Sequence, residues 1–159
     1  MNQITTQYVT EGGACYEQYV ITDPAAKTAL TITPERGGMI TGFTLDGDEY
    51  IWTRRPNFSE CNRPRFGVPV LFPSCGNPDG GVHLFDGKAY PMECHGFADL
   101  CAWEVESVGP DGVTLILEST PLTKFLYPFD FTLLVNYDLN GTTASISMTV
   151  INEGDVPMP

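Results

Sequence analysis

His95 is one of only two histidines in the chain, and it sits in the stretch Cys94-His95-Gly96-Phe97-Ala98-Asp99-Leu100-Cys101-Ala102-Trp103. Imidazole exchanges protons near neutral pH, so it can serve as an acid or a base. The glycine beside it carries no Cβ and lets the backbone stand close to a bound molecule. Phe97 and Trp103 would add a flat apolar wall, and Asp99 an acid. Hydroxyl-binding edges next to an apolar face suit a sugar. The same composition also fits an ordinary buried turn holding a hydrogen-bonded histidine.

Arg54, Arg55, Arg63 and Arg65 gather in one loop and make up half of the eight basic residues of an otherwise acidic chain. Guanidinium groups at that density suit hydroxyls or an anionic group on a ligand. A solvated loop balancing nearby acids is the competing reading. Cys61, Cys75, Cys94 and His95 fit no structural zinc spacing. No cysteine carries a nucleophile signature. The glycine patterns that cradle phosphates are missing, and Arg36-Gly37-Gly38 reads as a turn. We therefore expect neither metal nor cofactor.

These residues need a frame. The chain has 159 residues, 16 of them glycine and 13 proline, with no long stretch of 3.6-residue apolar period. Residues 29–33, 39–45, 49–52, 103–108, 113–118, 129–138 and 144–152 read as strands, and 85–90 as a further hairpin. Asp46-Gly47, Gly109-Pro110-Asp111-Gly112 and Asn140-Gly141 supply the turns. Residues 53–64 and 74–81 read as polar loops that offer ligand contacts, and 67–72 as a short buried segment. Consecutive strands with tight turns predict a single all-β domain, an antiparallel sandwich.

Composition narrows the partners. The hydrophobic fraction is 42% and the charged fraction 18%, as in a globular domain. A net charge of −12 repels phosphate backbones and argues against nucleic-acid binding. No apolar run approaches the roughly 18 residues of a membrane span. The N-terminus has neither the basic region nor the apolar core of a secretory signal. The five cysteines, an odd number, are then expected to be reduced thiols in a cytoplasmic protein.

Four segments resemble one family. Phe66-Gly67-Val68-Pro69-Val70-Leu71-Phe72-Pro73 is similar to the G-G-[IV]-P-[IVL]-x-F-P element of the aldose 1-epimerases, a family that includes a hexose-6-phosphate epimerase branch. His95-Gly96-Phe97-Ala98 with Trp103 resembles its H-G-F-A-R-x-x-x-W element. Tyr127-Pro128-Phe129-Asp130-Phe131 resembles its Y-P-[FH]-x-F strand start. Asn152-Glu153-Gly154-Asp155-Val156-Pro157-Met158-Pro159 resembles its N-x-G-x-x-P-[MF]-P element. All four occur in the family's order.

The resemblance implies a galactose-mutarotase-like β-sandwich that interconverts the α and β anomers of a hexose without a cofactor. A carboxylate would take the C1 hydroxyl proton while a histidine protonates the ring oxygen. It also implies that this chain matches the N-terminal half only, with the family's acid histidine and base glutamate falling beyond Pro159. His83 does not match either position. The arginine after H-G-F-A is Asp99 here, which tilts the expectation toward neutral sugars. The first glycine of the second element is Phe66, while Arg65 keeps the arginine that precedes it in many members.

The expected substrate-binding residues are His95, Arg65, Asn77 and Asp99, and no catalytic acid or base is assigned. A non-catalytic carbohydrate-binding module or pseudoenzyme fragment is the alternative. Half a sandwich is further expected to self-associate through exposed strand edges.

Overall fold

The computed structural model describes residues 1–53, 58, 63 and 65–159. Arg54, Arg55 and Cys61 lie outside the described residues. Among those described, eleven strands form two main antiparallel sheets and a small hairpin.

The first sheet runs in chain order: β1 (Gln3–Glu11), β2 (Ala14–Asp23), β3 (Thr28–Thr33), β4 (Met39–Leu45) and β5 (Asp48–Glu49). The second has the order β11-β10-β9-β8, from β8 (Glu104–Val108), β9 (Gly112–Glu118), β10 (Phe131–Asn140) and β11 (Thr143–Asn152). Between them in the chain, β6 (Val82–Phe85) and β7 (Lys88–Pro91) pair with each other. A single-turn helix, α1 (Pro121–Leu126), is capped reciprocally by Thr120 and Thr123.

Strand alternation builds the core. Phe131, Leu133, Val135, Tyr137 and Leu139 of β10 point inward with Val113, Leu115 and Leu117 of β9. They meet Ile21, Leu30, Ile32 and Ile40 from the first sheet in one apolar cluster. The all-β antiparallel sandwich expected from the sequence is thus the observed architecture. The expected return strand at 49–52 shortens to β5, beyond which the Tyr50 amide donates to the Phe43 carbonyl (2.9 Å). Segment 67–72 is irregular and only partly buried, touching strands through the bridges Ile40–Val68 and Phe72–Gly96.

The aromatic wall expected beside His95 is overturned. Phe97 is 4% exposed and Trp103 is 3% exposed, both inside the core. Their hydrogen bonds explain it: Phe97 N–H donates to the Phe72 carbonyl at 2.9 Å, and the Trp103 indole donates to the Ala98 carbonyl at 3.0 Å. Both rings are thereby turned toward the sheets rather than toward solvent.

Two buried tyrosines set an alkaline limit. Burial pushes the Tyr127 hydroxyl from its ordinary value of 10.0 up to about 12, and raises Tyr137 as well. Tyr127 donates to the Pro159 carbonyl at 2.6 Å, and Tyr137 to the Gly38 carbonyl. A raised folded-state pKa gives stability that is complete below the unfolded value and lost as pH climbs through the folded one. Stability should therefore fall above pH 10 by about 1.4 kcal/mol per pH unit for each of the two tyrosines. Denaturant melts from pH 8 to 12 check this. Tyr137→Phe should flatten the slope at the cost of about 1 kcal/mol at neutral pH, for the lost hydrogen bond.

Candidate functional site

The site is held by one turn lying on another. Gly96 has φ +77, and a Cβ there would overlap the Phe72 carbonyl, so only glycine lets the two segments touch. That carbonyl accepts from both Phe97 N–H (2.9 Å) and Ala98 N–H (3.2 Å). On the other side, Gly37 N–H donates to the Cys101 carbonyl at 3.1 Å, and a Cβ on Gly37 would strike the Asp99 backbone. The 93–101 segment is therefore wedged between 72–73 and the 34–38 turn.

His95 sits at the crest of this segment with φ +71, a left-handed conformation uncommon for a non-glycine residue. Its amide donates to the Gly76 carbonyl at 3.1 Å. Its Nδ1 is buried and has no hydrogen-bond partner among the described residues. His95 thus combines a left-handed backbone with a buried ring nitrogen that lacks a partner among the described residues.

Asp99 is 1% exposed, and its carboxylate is held by Arg63. One terminal nitrogen of Arg63 donates to both oxygens, at 2.6 and 2.8 Å, and the other donates to the Gly96 carbonyl at 2.7 Å. Glu93 lies 3.6 Å from the same guanidinium. Burial raises the Asp99 carboxyl above the usual carboxylate range, and Arg63 opposes that rise. The guanidinium thus fastens both ends of the Gly96–Asp99 step. Cys101 is inert by comparison: burial, then the neighbouring Asp99, raise its thiol, which donates to the Phe97 carbonyl.

All four residues singled out from the sequence line one cavity of about 1010 Å³: His95 and Asp99 from the crest, exposed Arg65, and exposed Asn77 from the 74–81 loop. Arg63, Glu93, Cys94, Leu71 and Met92 complete much of the wall. Arg63 was visible in the sequence only as a member of the arginine cluster. Its partner 36 positions away was not, since ion pairs between loops leave no spacing signal. Among the described residues no Phe, Tyr or Trp lines this cavity.

Phe66, which takes the place of a motif glycine, is accounted for by packing. It stacks on Phe58 at 5.5 Å with Arg36 over its face at 5.8 Å, and Arg36 donates to the Phe58 carbonyl at 2.6 Å. These rings and Met39 form a second small core.

This fold and cavity define a galactose-mutarotase-like sandwich. The aldose 1-epimerase family model matches residues 17–159, and the chain belongs to that family. It is similar to protein LacX of Lactococcus lactis, 28% identical over 130 residues, covering 77% of this chain and 42% of LacX. Among solved structures, the Slr1438 protein of Synechocystis sp. PCC 6803 is 30% identical with a TM-score of 0.84, over 98% of this chain and 53% of that one. A galactose mutarotase related enzyme from Lactobacillus acidophilus is 26% identical with a TM-score of 0.77, over 89% of this chain and 45% of that one. The chain spans about half the length of the relatives it matches. Among the described residues no helix is long and apolar enough to cross a membrane.

Proposed function

We propose that this chain carries the sugar-holding half of an aldose 1-epimerase-type site for an unphosphorylated hexose. The observation that carries the reading is the convergence of His95, Arg65, Asn77 and Asp99 on one cavity. His95 lines the cavity and offers its imidazole to a hydroxyl or to the ring oxygen. Arg65 offers exposed donors. Among the described residues the wall carries two guanidiniums, Arg63 and Arg65, and two carboxylates, Asp99 and Glu93, so their charges balance. That balance favours a neutral ligand over a phosphorylated one.

In the reaction the family carries out, the C1 hydroxyl loses its proton and its electron pair forms the aldehyde C=O. The C1–O5 bond breaks, and O5 takes a proton. Rotation about C1–C2 and the reverse steps give the other anomer. We assign no residue of this chain as the acid or the base. A binding-only protein is therefore the second reading, and the same experiments separate the two. By saturation-transfer NMR, galactose or glucose should bind and His95→Ala should weaken binding at least about tenfold, the worth of one good hydrogen bond to a charged or aromatic donor. Polarimetry on freshly dissolved α-galactose should show the buffer rate. Faster anomerisation that disappears in His95→Ala would overturn the binding-only reading of the isolated chain.

Two further parts of this reading have support in the structure. Cys15, Cys75, Cys94 and Cys101 are free thiols, in keeping with a reducing, cytoplasmic setting. The edge strand β11 is exposed along its whole length, with Ile146 47%, Met148 52% and Val150 40% exposed. It has no charge, proline or bulge to blunt pairing. Self-association through β11 should appear in sedimentation velocity as a concentration-dependent shift, and Met148→Lys should reduce it.

A further inference from the structure

The described residues give the cavity no Phe, Tyr or Trp side chain, but two aromatics stand next door. Tyr50 is 61% exposed and Trp52 is 65% exposed, whereas the chain's other tryptophan, Trp103, is in the core. Both rings face a shallow depression of about 430 Å³, and two of its walls, Arg65 and Pro69, are also walls of the main cavity. The two hollows are therefore neighbours that share the Arg65–Pro69 wall.

The rings are not on a loose end. Tyr50 N–H donates to the Phe43 carbonyl at 2.9 Å, and the Tyr50 ring meets Phe43 edge-on at 6.4 Å. The Trp52 carbonyl accepts from Gly67 N–H at 3.0 Å. Gly67 in turn lies so close to the Ile40 carbonyl that no Cβ fits between them. Two large aromatics whose backbone is hydrogen-bonded in place, yet whose rings are left in solvent, offer an amphipathic surface beside the cavity. A pyranose lays its C–H face on such rings while its hydroxyl edge remains free to reach Arg65.

We propose that Tyr50 and Trp52 form a second sugar subsite, which takes the non-reducing unit of a disaccharide whose reducing hexose occupies the main cavity. This rests on the sugar reading of that cavity. The ligand class is accordingly a short reducing oligosaccharide, with the free C1 toward His95 and the second ring over Trp52.

Trp52 supplies its own reporter, since the only other tryptophan is buried. Galactose, glucose, lactose and maltose are titrated into the 159-residue chain, with affinities from NMR and the tryptophan emission followed in parallel. At least one disaccharide should bind roughly three- to tenfold tighter than its reducing monosaccharide, the worth of one or two stacking contacts. It should also shift the solvent-exposed part of the emission, which the monosaccharides leave alone. Trp52→Ala and Tyr50→Ala should abolish the preference while leaving monosaccharide affinity within about twofold. Disaccharides that bind no tighter than monosaccharides, or a preference that survives both substitutions, overturn the subsite and leave the cavity reading standing. If no sugar binds at all, the cavity reading falls and the subsite with it.

Discussion

Replacing Arg63 with alanine should cost about 3 kcal/mol at neutral pH, the low end for breaking a buried ion pair, because the Arg63 side chain keeps 18% exposure. In a domain of this size that is a drop of roughly 10 °C in melting temperature. The loss has a particular cause. Asp99 stays behind at 1% exposure with no guanidinium, and the Gly96 carbonyl loses its donor. Burial already raises the Asp99 carboxyl, and without Arg63 the rise is unopposed.

The sign with pH follows. A carboxyl whose folded pKa is raised supports the native state while protonated, and that support is lost as pH climbs through the folded value. The gap between Arg63→Ala and the parent should be small near pH 4 and widest near pH 7. Adding Asp99→Asn to Arg63→Ala should recover part of the neutral-pH loss, because the uncompensated charge goes. Chemical melts of the three proteins at pH 4, 5.5 and 7 check this. A gap that does not change with pH would place the effect in packing rather than in the buried charge.

This pair marks where the sequence stops being readable. The hairpins were legible because Asp46-Gly47, Asp86-Gly87 and Asn140-Gly141 are turn pairs whose conformations need positive φ, and the structure puts Asp46, Gly47, Asp86, Gly87 and Gly141 there. Strands β9 and β10 were legible because their apolar residues alternate. Strands β1 and β2 were not picked out: β1 is polar and mostly exposed, so alternation gives no signal there. Helix α1 was not read either, because it is too short to carry a helical period.

The site was half legible. His95, Arg65, Asn77 and Asp99 do share a cavity, but what Asp99 does there depends on Arg63, which no local pattern connects to it. Aromatics posed a harder problem. Phe97 and Trp103 looked like a wall and lie in the core, while Tyr50 and Trp52, read as an ordinary strand, stand in solvent. In irregular segments, burial is decided by which backbone groups pair across the fold, and a single sequence does not carry that.

The sharpest test of the site's frame is Gly96→Ala against Gly87→Ala. The two glycines have nearly the same backbone, φ +77 and φ +76. An alanine in that left-handed region costs about 1 kcal/mol at either position. Their surroundings differ. At Gly87 an added Cβ meets nothing within 4 Å, whereas at Gly96 it overlaps the Phe72 backbone and comes to 2.7 Å from Pro73 Cδ. Backbone cannot swing aside as a side chain can. The Phe72–Pro73 segment and the His95 turn must separate, breaking the Phe97 and Ala98 hydrogen bonds to the Phe72 carbonyl. Two such bonds at about 1 kcal/mol each, added to the φ penalty and to lost packing of the Phe72 and Phe97 rings, bring Gly96→Ala to roughly 3–5 kcal/mol. Thermal melts should show Gly87→Ala within a few degrees of the parent and Gly96→Ala far below it or unfolded. Where Gly96→Ala still folds at low temperature, hexose binding should be lost as well, because His95 is the residue the separation moves. Equal, small effects at both positions would mean that the two segments do not bear on each other, and that His95 is held by something other than this contact.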